Sequence, residues 1–103
     1  MADEMIPLIE ASSVEDGAVV QVMHGGEPLA VYNLAGTFYV TADTCSHGNA
    51  SLADGYVEGD EIECPFHQGR FHIPSGEPTS LPCAVPIKTY PVTLQDGMVC
   101  IAG

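Results

Sequence analysis

Two short pairs of metal-binding residues constrain this chain of 103 residues more than any other feature. The first pair is Cys45-Ser46-His47 and the second is Cys64-Pro65-Phe66-His67, and the 16 residues between them contain neither Cys nor His. Thiolates and imidazoles both bind transition metals, so the four side chains can share one centre. The fold must then bring two loops that are distant in sequence to a single point.

Two thiolates and two imidazoles match two kinds of metal centre. One is a [2Fe–2S] cluster in which two histidines replace two cysteines on one iron, and the other is a tetrahedral zinc ion. Zinc fingers usually combine C-x₂₋₄-C with H-x₃₋₅-H, a spacing that this chain lacks. Gly48 and Gly69 follow the two histidines closely, and small residues there let backbone N–H groups approach inorganic sulfide. The pattern favours a [2Fe–2S] cluster, with the ligands Cys45, His47, Cys64 and His67.

Alternating polar and apolar residues indicate an all-β fold, and no segment has the periodicity of a helix. The predicted strands are residues 18–23, 28–33, 37–42, 61–64, 69–73, 87–92 and 98–102. Turns between them contain glycine where positive φ is often needed, in Asp16-Gly17, Gly25-Gly26, Ala35-Gly36, Asp54-Gly55, Glu58-Gly59, Ser75-Gly76 and Asp96-Gly97. Several short strands at this spacing predict a β-sandwich or barrel in one domain.

Charge narrows the range of partners. Two basic residues against 14 acidic ones give a net charge of −12, which disfavours nucleic acid and anionic lipid and favours a basic protein surface. The acidity could also serve only to keep the fold soluble. No apolar run is long enough to span a membrane, and the N-terminus lacks the features of a signal peptide. We therefore expect a cytoplasmic protein.

The remaining Cys and His residues are interpreted as structural. Cys83 and Cys100 have no histidine at ligand spacing, which is typical of small buried hydrophobic residues. His24 stands beside two glycines and is interpreted as a solvated turn residue. His72 lies on a predicted strand without a cysteine partner, so we do not assign it as a ligand.

Longer motifs surround the two ligand pairs. They are Cys-Ser-His-Gly-Asn at 45–49, Asp-Gly-Tyr-x-Glu-Gly at 54–59, Ile-Glu-Cys-Pro-Phe-His-Gln-Gly-Arg-Phe at 62–71 and Ser-Gly at 75–76. With Pro82-Cys83 and residues 87–92, they closely resemble the Rieske-type ferredoxins of multicomponent bacterial aromatic-ring-hydroxylating dioxygenases. The resemblance spans nearly the whole chain.

This resemblance implies a Rieske fold, an antiparallel β-sandwich or barrel with a small cluster-binding subdomain inserted into it. The base would comprise residues 1–42 and 78–103, and the subdomain about 43–77. Cys45 and Cys64 would hold the inner iron, and His47 and His67 the outer one, with the histidine rings as the electron exit. The segment around Leu81-Pro82 would cover the cluster.

The implied function is one-electron transfer from a ferredoxin reductase to a terminal oxygenase, without bond chemistry in this chain. Alternate docking with two partners leads us to expect a monomer. An oxygenase would need a second iron site, for which only His24 and His72 remain, in a chain too short for a catalytic domain. The other alternative is a zinc-binding or cluster-less Rieske-fold subunit of a larger reductase.

The chain departs from the Rieske proteins of respiratory complexes at four positions. Ala50 and Phe66 stand where those proteins have a disulfide, and Gly69 and Phe71 stand where they have hydroxyl donors to the cluster and its cysteine ligand. Fewer such hydrogen bonds stabilise the reduced cluster less. We therefore expect a reduction potential near the low end of the Rieske range, about −150 mV.

A neutral tip with an acidic rim is the predicted docking surface. The tip carries no acid and consists of His47, Gly48, Asn49, Phe66, His67, Gln68 and Pro82. The predicted rim consists of Asp43, Asp54, Glu58, Asp60, Glu61 and Glu63. We expect the partners to contact Phe66 and Pro82 beside the histidines, steered by the surrounding acids.

Overall fold

The computed structural model describes residues 5–45, 50–65, 69–80 and 85–102, which contain short β-strands and two 3-10 turns. The strands are β1 (Met5–Glu10), β2 (Val19–His24), β3 (Glu27–Leu34), β4 (Thr37–Ala42), β5 (Tyr56–Glu58), β6 (Glu61–Glu63), β7 (Arg70–His72), β8 (Pro78–Ser80), β9 (Thr89–Tyr90), β10 (Val92–Gln95) and β11 (Met98–Ala102). The 3-10 turns are Ala11–Ser13 and Leu52–Asp54. No helix in these ranges is long and apolar enough to cross a bilayer.

Within these ranges the strands form three antiparallel sheets, which confirms the predicted all-β class. One sheet has the order β1-β11-β10, the second β2-β3-β4-β9 and the third β5-β6-β7-β8. The third sheet is contiguous in sequence and lies between β4 and β9 along the chain. The chain leaves the second sheet at β4, forms the third sheet and returns to pair with β4 through β9.

Strand β3 divides the interior into two hydrophobic cores. Successive side chains of a strand point to opposite faces. Ala30 and Tyr32 belong to one core, and Leu29 and Val31 belong to the other. All four are at most 1% exposed, so β3 is buried on both faces. The first core also contains Cys45 and Cys64, while the second contains residues of β11.

The predicted turns contain glycine at positive φ, with one exception. Six of the predicted turns have glycine at positive φ, at Gly17, Gly26, Gly36, Gly59, Gly76 and Gly97. Gly55 instead has φ −91°, which any residue can adopt. A Cβ there would collide with the backbone carbonyl oxygen of Glu63. Gly55 is therefore required for close approach of the chain to the end of β6.

Several predicted strands match, and one is wrong. Predicted strands 37–42 and 98–102 coincide with β4 and β11. The predicted strand 87–92 divides at Pro91, because β9 pairs with β4 whereas β10 pairs with β11 in another sheet. Strands β1, β5 and β8 were not predicted. Pro7 interrupts the pattern of β1, and the three-residue strands β5 and β8 contain no fully buried residue that would mark an inward face.

Candidate metal centre

The first ligand pair follows β4 in a narrow hairpin. Thr44 forms an antiparallel bridge with Ser51, and the Cys45 N–H donates to the carbonyl of Ala50 at 2.9 Å. One step further out, the Leu52 N–H donates to the Asp43 carbonyl at 2.7 Å. These bonds fix both ends of the loop that begins at Cys45. The cysteine itself is 2% exposed.

The second ligand pair follows β6 in the same way. Glu63 pairs with Arg70 across β6 and β7, and the Cys64 N–H donates to the carbonyl of Gly69 at 2.8 Å. Along β6, Ile62 is buried while Glu61 and Glu63 are half-buried on the opposite face. Cys64 continues the inward face and is fully buried. In both loops the cysteine N–H bonds the carbonyl of the fifth residue after it.

The two cysteines share one apolar core. Cys45 and Cys64 are buried thiols in the cluster that also holds Ile62 and Phe71. Two thiols from separate loops, enclosed by apolar side chains, suit the inner half of a thiolate-bound iron–sulfur cluster. Phe71 is fully buried and has no hydroxyl to donate to a cysteine sulfur. The donor chemistry of the described residues therefore fits this cofactor.

The two histidines of the predicted ligand set lie outside the described residues. So do Phe66 and the Leu81-Pro82 segment, which the prediction places beside the cluster. Within residues 5–45, 50–65, 69–80 and 85–102, no group of three or more His, Cys, Asp or Glu side chains could hold a metal. The assignment of all four ligands is therefore taken up as a proposal below.

A buried carboxylate lies beneath the first loop. Asp43 is 1% exposed, so its predicted place in the acidic rim is wrong. Its Oδ2 accepts hydrogen bonds from Gln21 Nε2 at 2.8 Å and Ser51 Oγ at 2.6 Å. Its Oδ1 accepts one from the Ala53 N–H at 2.9 Å. The side chain turns inward because strand β2 and the 51–53 segment together offer three donors.

An ion cluster covers the outer face of the third sheet. Arg70 Nη2 lies 2.7 Å from Glu58 Oε1 and 3.0 Å from Glu63 Oε1, and Nη1 lies 3.4 Å from Glu61 Oε1. Hydrogen bonds to Glu58 and Glu61 raise the pKa of the Arg70 guanidinium. The predicted acids of β5 and β6 are therefore partly neutralised, while Asp54 and Asp60 are exposed.

A buried tyrosine lies in the core that contains the cysteines. Tyr32 is fully buried, and its hydroxyl forms a 2.9 Å hydrogen bond with Thr41 Oγ1. Burial is the main cause that raises the pKa of the Tyr32 phenol, and the Asp43 carboxylate raises it further. The phenol therefore stays neutral at physiological pH.

The other Cys and His residues have structural surroundings. His72 Nδ1 lies 2.7 Å from Ser75 Oγ and Nε2 lies 3.1 Å from Asp60 Oδ2, so both ring nitrogens have partners. His24 ends β2 directly before the Gly25-Gly26 turn and is half-buried, so it is less exposed than the predicted solvated turn residue. Cys100 is buried on β11, as predicted, whereas Cys83 lies outside the described residues.

The comparison with protein families finds one match over most of the chain. Residues 4–91 match the model of the Rieske [2Fe-2S] domain. Among curated proteins, ferredoxin CarAc of Metapseudomonas resinovorans is 47% identical over 94 residues, which cover 90% of this chain and 88% of the relative. The ferredoxin component of the naphthalene 1,2-dioxygenase system of Pseudomonas putida is 42% identical over 101 residues, covering 98% and 97% of the two chains.

Solved structures give the same result. The Sphingomonas yanoikuyae B1 ferredoxin superposes with a TM-score of 0.94 and 50% identity, covering 97% of this chain and 99% of that chain. A structure described as a complex of reduced oxygenase and oxidized ferredoxin in carbazole 1,9a-dioxygenase contains a chain with a TM-score of 0.90 and 44% identity. That match covers 96% of this chain and 93% of the other.

Proposed function

Because the chain belongs to the Rieske [2Fe-2S] domain family, we propose that it carries single electrons from a ferredoxin reductase to the terminal oxygenase of an aromatic-ring-hydroxylating system. The observation that carries this proposal is near full-length similarity to relatives named as ferredoxin components of dioxygenase systems. One such relative is described in complex with its oxygenase. The chain is an electron-transfer component and not the catalytic enzyme.

Four residues are proposed to hold the cluster. Cys45 and Cys64 would bind the inner iron and His47 and His67 the outer one, and the bound cluster would supply a one-electron couple. The burial of both thiols in one core supports the assignment of the cysteines. The equivalent closure of the two loops by the N–H groups of Cys45 and Cys64 supports it further. Assignment of the histidines rests on their spacing in the sequence.

The chain is further proposed to divide into a base of residues 1–42 and 78–103 and a cluster-binding subdomain of about 43–77. The contiguous third sheet and the return of the chain to β4 support an inserted subdomain, but β8 of that sheet (Pro78–Ser80) lies beyond the proposed end at about residue 77. Docking to both partners is proposed to occur near His47, Phe66, His67 and Pro82, with the protein as a cytoplasmic monomer. The reductase partner follows from the naming of the relatives' systems, which include separate ferredoxin components.

The two other functional classes are less well supported. An oxygenase would have to place a second iron site on this short chain, and the relatives that match it end to end are carriers. A zinc-bound or cluster-less subunit would be colourless. A Rieske cluster gives visible absorption and an electron paramagnetic resonance signal in the reduced state.

Spectra of ligand variants test the proposal. The purified protein, reconstituted anaerobically with iron and sulfide, should be red-brown, and Cys45→Ala or Cys64→Ala should abolish that colour. Cys100→Ala is the matched control, because Cys100 is also buried but lies on β11, outside the core that contains Cys45 and Cys64. His47→Cys and His67→Cys should lower the potential, since an anionic thiolate replaces a neutral imidazole. A colourless wild type, or an unchanged potential in both histidine variants, would contradict the proposal.

A further inference from the structure

Asp43 is the one charged side chain among the described residues that is buried. The other buried polar side chains there are the neutral Asn33 and Thr41. A buried carboxylate is costly unless hydrogen bonds replace its lost hydration. Asp43 lies two positions before Cys45, at the base of the first ligand loop. Its position therefore calls for an explanation beyond packing.

The surroundings of Asp43 fit a charged carboxylate. Its three side-chain hydrogen bonds come from donors, the Gln21 amide, the Ser51 hydroxyl and the Ala53 N–H. The basic residues of the chain are engaged elsewhere. Arg70 binds three glutamates, and Lys88 lies over the Tyr90 ring at 5.0 Å from its centre. The negative charge is thus solvated by dipoles, and no lysine or arginine of the described residues forms an ion pair with it.

The same contacts tie the loop to the base. Gln21 lies on β2, whereas Ser51 and Ala53 lie on the segment that returns from the loop. Backbone bonds at Asp43 continue this link, because its N–H donates to the Pro28 carbonyl at 3.2 Å and its carbonyl accepts from Leu52. One residue therefore joins β2, β3 and both ends of the loop that begins at Cys45.

We propose that Asp43 is a positioning residue of the metal centre with two effects, an inference that rests on the proposed function. It holds the Cys45 loop in place, and its uncancelled buried charge lowers the reduction potential. Reduction adds one electron, hence one negative charge, to the centre. A fixed negative charge in a low-dielectric interior makes that addition less favourable. The oxidised form is stabilised relative to the reduced form.

Two variants separate the charge from the scaffold. Asp43→Asn removes the charge, and its amide can still bond Gln21 and Ser51 because both of those groups can donate or accept. Ser51→Ala keeps the charge and removes one of the donors that solvate it. The potential should rise in Asp43→Asn and fall by a smaller amount in Ser51→Ala. A purely structural role would not give shifts of opposite sign.

Asp54→Asn is the matched control. It removes the same charge from an exposed position in the neighbouring 3-10 turn. Its potential should stay close to the wild-type value, because water screens an exposed charge. Each potential is measured by a redox titration followed by visible absorption. The rate of cluster loss at elevated temperature is followed by bleaching, and it should be several-fold faster in Ser51→Ala than in Asp54→Asn.

The outcomes distinguish this inference from the proposed function. A wild type that binds no cluster overturns both. A wild type with a cluster, combined with equal potentials in Asp43→Asn and Asp54→Asn, overturns the electrostatic role of Asp43. Should Asp43→Asn fail to fold, Ser51→Ala still tests the electrostatic role. An unchanged or raised potential in Ser51→Ala would contradict an effect of the Asp43 charge on the reduction potential.

Discussion

Arg70 Nη2 lies 3.0 Å from the Oε1 atom of Glu63, its direct cross-strand neighbour at the base of the second ligand loop. The same guanidinium bonds Glu58 and Glu61, which face each other across β5 and β6. Like charges directly opposite on a sheet are destabilising. Arg70 therefore permits three neighbouring glutamates to occupy one face of the third sheet.

Replacing Arg70 with Gln is expected to destabilise the third sheet. Three carboxylates would remain close together without a counter-ion, so the midpoint of thermal unfolding should fall by a few degrees. Because the pairs are partly exposed, the loss should shrink as salt rises. Thermal unfolding at low and high salt measures this. Lys88→Gln is the control, since it removes the same charge from the residue just before β9, outside the ion cluster, and should show no such salt-dependent loss.

Removing one of the repelling glutamate charges gives a second test of the role of Arg70. Adding Glu58→Gln to Arg70→Gln should recover part of the lost stability, because one of the repelling charges is gone. A double variant no more stable than Arg70→Gln alone would show that repulsion among the glutamates is not the cause.

The ion cluster shows how far sequence patterns reach. Alternation in residues 61–64 correctly predicted that Ile62 and Cys64 point inward and that the glutamates point outward. The partner of those glutamates depends on the register of β6 with β7, and pattern alone does not specify register. The same limit applies near Pro91, where one apolar run belongs to two sheets. Local periodicity predicts which face of a strand is buried, while the pairing of strands depends on contacts between residues distant in sequence.

Gly55→Ala is expected to destabilise the protein through one contact. The backbone of Gly55 suits any residue, but an added Cβ would meet the carbonyl oxygen of Glu63. Overpacking of this kind costs roughly 1–3 kcal/mol. Because Glu63 precedes Cys64, the displacement should also accelerate cluster loss. Denaturant unfolding and bleaching rates measure the two effects.

Gly59 offers the control for Gly55. It lies in the β5–β6 turn at φ 62°, with open space where a Cβ would be. Asn tolerates this left-handed conformation, so Gly59→Asn should leave the bleaching rate unchanged. Equal rates in Gly55→Ala and the wild type would argue against the steric explanation.

Tyr32 is expected to make the fold sensitive to alkaline pH. Burial raises the pKa of its phenol above the ordinary value of 10.0. The unfolded chain therefore loses this proton first as pH rises above 10.0, and the native state then binds more protons. The contribution of the neutral phenol to the free energy of unfolding is fully present below pH 10.0. Above that pH it declines by up to ~1.4 kcal/mol per pH unit. Denaturant unfolding as a function of pH measures the slope.

Tyr32→Phe should flatten that decline, because the variant has no phenol to ionise. Tyr56→Phe removes a phenol that is 64% exposed, and it should leave the slope unchanged. Identical slopes in the wild type and Tyr32→Phe would mean that other groups cause the alkaline loss.

The sequence predicted the metal-binding chemistry of the candidate site but not the hydrogen bonds that hold its first loop. The spacing of Cys45 and Cys64 with the histidines indicated the cofactor class, and the family match agrees with it. Asp43 was expected at the surface because acidic residues usually are. Its donors are 8 to 22 residues away in sequence, at Ser51 and Gln21. No local pattern reveals such a network.

Salt should slow electron delivery to this protein. With a net charge of −12, association with a basic reductase surface is steered by electrostatics, so the rate of reduction should fall with rising ionic strength. Glu61 and Glu63 bond Arg70, and reversing their charge would also break the ion cluster. Asp54 is exposed beside the first loop and makes the cleaner test.

Asp54→Lys should weaken the salt dependence of reduction measured by stopped-flow absorption, with little change in potential. Glu15→Lys is the control, because Glu15 follows Val14, whose carbonyl accepts a hydrogen bond from Asn33 near the β3–β4 turn, roughly 20 Å along β4 from the Cys45 loop. It makes the same charge change and should alter the salt dependence less. Phe66→Ala should instead slow reduction at every salt concentration, since it removes an apolar contact from the predicted tip. If the wild-type rate does not vary with salt, the acidic charge serves solubility and the steering model is wrong.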